Sequence, residues 1–145
     1  MEKVLTSVEE LNQEAATFAT GLAPHIDGAT LITLSGELGA GKTTFTQAVA
    51  LALGVTDSVT SPTFVLEKIY ELPEGSSFKR LIHIDAYRLS KGSDLTPLGF
   101  ETRMNDSANL VILEWPERVA DGLPTPTAHL TLEVHPDTTR TLTYA

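Results

Sequence analysis

Residues 36–43 match the phosphate-binding pattern Gly-x-x-x-x-Gly-Lys-Ser/Thr at every fixed position. Glycine at the fixed positions lets the backbone wrap an anion with its N–H groups pointing inward, because a side chain there would block the approach. Lys42 can then reach the β- and γ-phosphates of a nucleotide, and the Thr43 hydroxyl can bind Mg²⁺. The sequence therefore predicts a P-loop that binds a nucleotide together with Mg²⁺.

The elements on either side of this loop are the ones that the motif requires. A short apolar strand is predicted at 30–34 and an amphipathic helix at 43–53. The helix adds the positive end of its dipole beside the phosphates. The predicted nucleotide contacts are the interior of the loop and the first residues after it: Glu37, Leu38, Gly39, Ala40, Gly41, Lys42, Thr43 and Thr44.

Two carboxylates are candidates for completing the site, because a P-loop needs an acid near its metal ion. Asp85 and Glu114 each end a predicted strand, and the carboxyl ends of parallel strands meet in one crevice. Both are predicted Mg²⁺ ligands with Thr43, and catalytic residues with Lys42. Glu114 has two possible roles, binding Mg²⁺ or orienting the attacking water. The structural alternatives are a helix cap or an ion pair with Arg88 for Asp85, and a solvated strand end for Glu114.

Three further residues near the predicted site carry less specific signals. Thr63 lies in a Ser-Pro-Thr loop after the P-loop helix, where nucleotide switches tend to lie. It is predicted to be catalytic by sensing the γ-phosphate through Mg²⁺, and the alternative is an ordinary capped turn. Trp115, the only tryptophan, is a core residue, a lid beside the phosphates or an anchor for a partner. His83 is predicted to be a packed strand histidine.

The rest of the chain alternates strands with helices, which favours an α/β layer fold. Ser7 and Glu10 form a capping box before an apolar helical face that runs to Leu22. Pro97 and Gly99 weaken the pattern of a further helix. We expect a P-loop NTPase-like three-layer fold, with a mixed, mostly parallel sheet flanked by helices, in a single domain over residues 1–145. The weaker helix is predicted at 94–104, and the strands after the P-loop at 64–70, 80–85, 110–113, 129–134 and 140–144, the last two as a hairpin.

Composition excludes several classes of site and partner. The chain has 145 residues, and 10 Lys and Arg against 19 Asp and Glu give a net charge of −9. Such a chain does not coat a phosphate backbone or an anionic membrane unaided. It has no cysteine, which excludes disulfides, thiolate zinc sites and cysteine nucleophiles. Neither a signal peptide nor an apolar run long enough for a membrane span is evident, so we expect a cytoplasmic protein that does not engage membranes.

Four short motifs follow one another in a specific order: GELGAGKTT at 36–44, SPTF at 61–64, HIDAYRL at 83–89 and EWP at 114–116, with LGFE at 98–101 between the last two. In this order they resemble the TsaE family, formerly YjeE, of small bacterial P-loop ATPases. The resemblance covers nearly the whole chain. Glu37 stands where the family commonly has Asp, and Ala86 where a bulkier apolar residue is common. Neither departure removes a chemical group that the mechanism needs.

The resemblance implies an activity, a cofactor pair and two partners. Family members hydrolyse ATP with Mg²⁺ and are needed for threonylcarbamoyl transfer to adenosine 37 of tRNAs that read codons beginning with A. They act with the proteins TsaB and TsaD, where TsaD performs the transfer and ATP hydrolysis lets the complex turn over. By matching position, Thr43 and Glu114 are associated with Mg²⁺, Asp85 is the Walker-B-like acid and Arg140 lies by the nucleotide. The negative charge of the chain favours contact with tRNA only through the partners.

Two other functions share the P-loop. A small-molecule kinase also needs an acceptor pocket and usually an arginine-bearing lid, whereas the arginines here are widely scattered. A non-catalytic switch would use the nucleotide to order the loop at 61–64 and so control docking. No arginine finger within the chain is obvious; Arg88 is a candidate, with a salt bridge or a partner interface as its alternative roles. An ATPase of this kind is therefore expected to be slow alone and faster with its partners.

Overall fold

The computed structural model describes residues 1–55 and 67–145. The strands are Glu2–Leu5 (β1), Thr30–Ser35 (β2), Glu67–Glu71 (β3), Arg80–Asp85 (β4), Asn109–Glu114 (β5), Ala128–Val134 (β6) and Arg140–Tyr144 (β7). The α-helices are Val8–Thr20 (α1), Lys42–Ala52 (α2) and Phe100–Met104 (α3), and 3₁₀ helices run Gly92–Leu98, Pro116–Arg118 and Ala120–Gly122.

The described strands form one seven-stranded sheet in the order β1-β7-β6-β2-β5-β4-β3. Its centre, β6-β2-β5-β4, is parallel, and the pairs β1–β7, β7–β6 and β4–β3 at its sides are antiparallel. Helices α1 and α2 cover one face, and α3 with the 3₁₀ helices covers the other. This arrangement confirms the predicted three-layer α/β fold with a mixed, mostly parallel sheet.

Two apolar clusters fill the space between the sheet and its covering layers. Side chains of β2 and β5 alternate between them: Leu34 and Ile112 face α1 and α2, whereas Leu31 and Val111 face α3. Both central strands are therefore apolar along almost their whole length, as strands covered on both faces are. The continuous apolar runs in the sequence predicted these two strands for this reason.

Helix α1 begins as its sequence predicts, with one difference in the cap. Ser7 is the N-cap, and its hydroxyl accepts a hydrogen bond from the Glu10 N–H at 3.1 Å. The Glu10 carboxylate accepts from the N–H and the hydroxyl of Thr6, one residue earlier than in a capping box. The apolar face of α1 buries Leu11 and Ala15 against the core.

The helix predicted at 94–104 is instead two short helices. The 3₁₀ helix Gly92–Leu98 and helix α3 are separated by Gly99, whose φ of 71° is left-handed. Pro97 has no N–H to continue the first helix, and the glycine then reverses the backbone before the second. No helix in the described part of the chain combines the length and apolar character needed to cross a membrane.

The strands at the two sides of the sheet differ in how well the sequence predicted them. β1 pairs antiparallel with β7, and its few residues carry no strong strand pattern. The strand predicted at 64–70 is described as β3 from Glu67 to Glu71, and positions 64–66 lie outside the described residues. The predicted β6–β7 hairpin is confirmed by antiparallel pairing from Leu130–Tyr144 to Val134–Arg140.

Candidate nucleotide and metal site

Three parallel strands end at the same edge of the sheet and bring the predicted acids together. The register pairs Leu34 of β2 with Glu114 of β5, and Glu114 with Asp85 of β4. Since side chains alternate along a strand, Glu114 lies on the face that Ile112 shares with α2, and Asp85 lies on the same face. A register shift by one residue would turn either carboxylate to the opposite face, so the pairing itself sets up the site.

The P-loop connects β2 to α2 through glycines with positive φ. Gly36 has φ 153°, and a Cβ there would lie 2.6 Å from the Leu132 carbonyl oxygen of β6. Gly41, with φ 107°, is the N-cap of α2, so the helix begins at Lys42 with its free N–H groups facing the loop. The Ala40 N–H donates to the Glu37 carbonyl at 3.0 Å, which folds the loop into a tight turn. Only glycine fits at Gly36, because the backbone of a neighbouring strand occupies the space.

The ammonium of Lys42 lies inside this loop. It donates hydrogen bonds to the carbonyls of Gly36 and Glu37, the second at 2.9 Å. Lys42 is 5% exposed, and burial lowers its pKa, although the carboxylates of Glu114, Glu117 and Asp85 act in the opposite direction. The carbonyls that it contacts are weak partners for a cation compared with phosphate oxygens, so an incoming phosphate would compete for Lys42.

Thr43, at the first turn of α2, faces the carboxylate of Glu114. The Thr43 Oγ1 lies 3.4 Å from Glu114 Oε1 and 3.3 Å from Oε2. Glu114 is only 2% exposed, which excludes the solvated strand end considered above. A second partner of this carboxylate is the ring of His83, whose Nε2 is hydrogen-bonded to Oε2. The structure therefore brings Thr43 and Glu114 together at the mouth of the P-loop.

Asp85 is half-buried at the end of β4, one strand further from the P-loop. Its Oδ1 accepts from the Tyr87 N–H at 3.0 Å. Burial raises the pKa of Asp85, the Tyr87 hydrogen bond lowers it, and the negative charge of Glu114 raises it again, with a net upward direction. Among the ion pairs of the described residues, none joins Asp85 to Arg88. The carboxylate keeps one oxygen, Oδ2, without a hydrogen bond among the described residues, so that oxygen is available to a metal ion or water.

The remaining predicted residues are distributed around the loop. Arg140, at the start of β7, donates from Nε to the Ala40 carbonyl at 2.9 Å and so lies against the P-loop. Glu37 and Leu38 are exposed at the tip of the loop. Thr63 lies outside the described residues.

The oxygens of Thr43, Glu114 and Asp85 are hard donors, the type that Mg²⁺ takes when one or two carboxylates and substrate phosphates share its coordination. The residues present therefore fit a magnesium–nucleotide site.

Trp115 follows Glu114 at the end of β5, and its ring contacts the ammonium of Lys42. The backbone of this residue is left-handed, with φ 62°, and its N–H donates to the Leu34 carbonyl at 3.1 Å. Its ring centroid lies 4.3 Å from the Lys42 Nζ and 5.0 Å from that of Tyr87. The Arg118 guanidinium stacks on the same ring at 5.6 Å. The indole thus packs against the core, as one of the three interpretations expected, and also contacts the P-loop lysine.

Sequence reasoning did not identify the contacts of Tyr87, Arg118 and His83. Tyr87 and His83 lie inside the motif at 83–89, but a motif does not say which side chains meet across strands. The signal for His83 was its spacing of two from Asp85, which places both side chains on one face of β4. Its burial, with no exposed surface, agrees with the packed histidine predicted above, and the hydrogen bond to Glu114 is the additional finding.

Replacing Gly36 with alanine is expected to damage both the fold and the loop. The new Cβ would meet the Leu132 carbonyl oxygen, so the backbone must move. We expect a loss of about 2–3 kcal/mol in the free energy of unfolding, and weaker nucleotide binding.

Gly75→Ala is the matched control, because φ is 87° there but nothing lies within 4 Å of the added Cβ. That control should lose about 1–2 kcal/mol and keep its nucleotide affinity. Equal results for both variants in urea unfolding and calorimetric titration would contradict the role of Gly36.

Nucleotide binding is expected to change the fluorescence of Trp115. The ammonium of Lys42 lies over this ring, and phosphate oxygens would draw it away. Since Trp115 is the only tryptophan, the emission of the whole protein reports on this contact. Lys42→Ala should start from a different emission and respond less to ATP. An unchanged emission at ATP concentrations that saturate binding in calorimetry would show that Lys42 does not move.

Comparison with known proteins agrees with the motifs. Residues 7–142 match the model of the family described as threonylcarbamoyl adenosine biosynthesis protein TsaE. Two relatives carry the name tRNA threonylcarbamoyladenosine biosynthesis protein TsaE. The one from Treponema pallidum is 34% identical over 92% of this chain and 94% of its own length, and the one from Streptomyces coelicolor is 42% identical over 70% and 67%. The crystal structure of Bacillus subtilis YdiB superposes with a TM-score of 0.73 at 27% identity, over 99% of this chain and 83% of that one. By sequence and by fold, this chain belongs to the TsaE family.

Proposed function

We propose that this chain is a Mg²⁺-dependent ATPase that serves the formation of threonylcarbamoyladenosine at position 37 of tRNAs reading codons that begin with A. The names of its relatives assign them to tRNA threonylcarbamoyladenosine biosynthesis. The ATPase activity in this proposal is supported by one observation: the side chains of Lys42, Thr43 and Glu114 lie together at one end of the sheet. A phosphate cradle, a metal-binding hydroxyl and a buried carboxylate are the parts that phosphoryl transfer to water requires.

The P-loop and Lys42 would bind the phosphates of ATP. The N–H groups at the start of α2 face the loop, and the helix dipole favours negative charge there. Lys42 would exchange the Gly36 and Glu37 carbonyls for phosphate oxygens. Arg140, which contacts the Ala40 carbonyl, adds a positive charge beside the same loop. The proposed nucleotide contacts remain 37–44 and Arg140.

Thr43, Glu114 and Asp85 would hold the metal ion and prepare the water. Mg²⁺ bound there would neutralise charge on the phosphates as the bond between the β-γ bridging oxygen and the γ-phosphorus breaks. One of the two carboxylates would accept a hydrogen bond from the attacking water and direct it at the γ-phosphorus, and the products would be ADP and inorganic phosphate. Thr63 would sense the γ-phosphate through the metal.

Turnover by the isolated chain is proposed to be slow. Arg118 is engaged outside the loop, where its guanidinium stacks on Trp115 and Tyr87, and Arg140 contacts the Ala40 carbonyl of the loop, so neither arginine is assigned to the γ-phosphate. An arginine inserted at the phosphates raises phosphoryl-transfer rates by about 10³–10⁵. We propose that binding to TsaB and TsaD completes the site, and that hydrolysis then lets the complex turn over. With a net charge of −9, the chain would reach tRNA only through these partners.

Reconstitution of tRNA modification tests this function. Wild type, Lys42→Ala and Glu114→Ala are each added to TsaB, TsaD, tRNA, a threonylcarbamoyl donor and ATP with Mg²⁺, and both phosphate release and modified adenosine are followed over several rounds. We expect the wild type to release phosphate faster with its partners and to sustain modification, and both variants to stop after about one round. Sustained modification with Glu114→Ala would favour the non-catalytic switch. Transfer of phosphate to a small acceptor instead of water would favour the kinase.

A further inference from the structure

We propose that His83 is a positioning residue for Glu114, which holds the carboxylate toward Thr43 and away from Lys42. This inference rests on the proposed function, since it assigns a role to the metal-binding carboxylate. In this proposal, His83 does not touch the nucleotide or the metal ion. It acts only through the side chain of Glu114.

The strand register creates the contact. His83 of β4 pairs with Ile112 of β5, and Glu114 follows Ile112 by two residues. Leu81 and Ile112 both belong to the apolar cluster under α1 and α2, so alternation places His83 and Glu114 on that same face. Their side chains meet diagonally across two neighbouring strands, in a layer from which water is excluded. His83 has no exposed surface, and Glu114 has almost none.

The direction of the hydrogen bond follows from the chemistry of the two groups. An ionised carboxylate can only accept, so in the ionised form of Glu114 that binds a metal ion the hydrogen lies on the His83 Nε2. Nδ1 is buried and has no hydrogen-bond partner among the described residues. A hydrogen on Nε2 therefore suits this place, because a hydrogen on Nδ1 would be buried without an acceptor among the described residues. The ring is a fixed donor aimed at Oε2.

The imidazole selects one of two possible partners for the carboxylate. A glutamate side chain has three rotatable bonds, and Lys42 is close enough for its charge to attract Glu114. An ion pair with Lys42 would remove both the phosphate-binding lysine and the metal ligand. With Oε2 anchored by His83, both oxygens stay within 3.3–3.4 Å of the Thr43 Oγ1, and Oε1 has only that hydroxyl as a hydrogen-bond partner among the described residues. The carboxylate is thus left facing the metal-binding hydroxyl.

Binding of Mn²⁺, measured by electron paramagnetic resonance of the free ion in the presence of ADP, tests the role. His83→Phe keeps the ring volume without the donor, whereas His83→Gln keeps an N–H donor at the end of a side chain of similar length. We expect His83→Phe to weaken Mn²⁺ affinity by about 10–100-fold, and His83→Gln to retain most of it. ADP affinity without metal should be unchanged in both.

A double-mutant cycle separates positioning from general damage to the fold. If His83 acts through Glu114, His83→Phe should cause no further loss of Mn²⁺ affinity in a Glu114→Gln background. Wild-type Mn²⁺ affinity in a folded His83→Phe protein would overturn the inference, and so would an equal further loss in the Glu114→Gln background. Should His83→Phe not fold, His83→Asn, whose amide falls short of Glu114, replaces it in the comparison with His83→Gln. Failure of the wild type to bind Mn²⁺ would instead contradict the proposed function.

Discussion

Replacing Lys42 with alanine is expected to lower ATP turnover by about 10²–10³-fold, and more if binding also fails. The lysine is buried within the P-loop, with its ammonium among backbone carbonyls that phosphate oxygens can replace. Hydrolysis builds negative charge on the phosphates, and a fixed cation in a site of low dielectric stabilises that charge strongly. The truncated side chain leaves this charge without its nearest partner.

Phosphate release and calorimetric ATP binding measure this loss. Lys79→Ala is a suitable control, because Lys79 is exposed at the other end of β4 and makes the same change in net charge. The control should retain wild-type turnover and affinity. A folded Lys42→Ala protein that hydrolyses ATP at the wild-type rate would mean that the phosphates lie elsewhere.

Glu114→Gln is expected to reduce turnover by about 10²–10⁴-fold while ATP without metal still binds. The substitution keeps the shape of the side chain but removes its charge and its capacity as a base. It acts on a group that is 2% exposed and faces Thr43, so solvent or a mobile neighbour cannot replace it. Both roles proposed for the residue, metal binding and water activation, predict the loss of turnover.

Mn²⁺ affinity distinguishes the two roles. A large loss of affinity in Glu114→Gln marks a metal ligand, whereas intact affinity with lost turnover marks the residue that prepares the water. Asp85→Asn is measured in parallel, since Asp85 is the other candidate. Glu117→Gln serves as the control for loss of a nearby negative charge, because this exposed carboxylate accepts a hydrogen bond from the Ser35 hydroxyl and has no hydrogen bond to Thr43 among the described residues. Wild-type turnover in Glu114→Gln would exclude both roles.

Much of the fold could be predicted from the sequence, because burial and backbone conformation leave patterns among residues that are close together in the chain. The apolar runs of β2 and β5 reflect burial on both faces, and Gly36 reflects a close approach to the backbone of β6 that no other residue permits. Pro97 and Gly99 weakened the helix prediction at 94–104, and the backbone divides there. β1 was missed because its place depends on β7, at the other end of the chain.

The contacts within the candidate site depend on register, which the sequence does not display. Asp85 and Glu114 were expected near one another because both end parallel strands, a general property of such sheets. The hydrogen bond of His83 to Glu114 requires the specific pairing of His83 with Ile112. The position of Lys42 over Trp115 likewise requires a left-handed residue directly after β5. These features follow from tertiary structure, and residue types alone could not separate them from ordinary packing.

Anomalous diffraction from crystals grown with Mn²⁺ and a non-hydrolysable ATP analogue tests the central proposal most directly. We expect one manganese peak bonded to the Thr43 hydroxyl and facing Glu114 and Asp85, with the β- and γ-phosphates in the P-loop and in contact with Lys42. A metal ion or triphosphate bound at another part of the molecule, with Lys42 still on the carbonyls of Gly36 and Glu37, would contradict it.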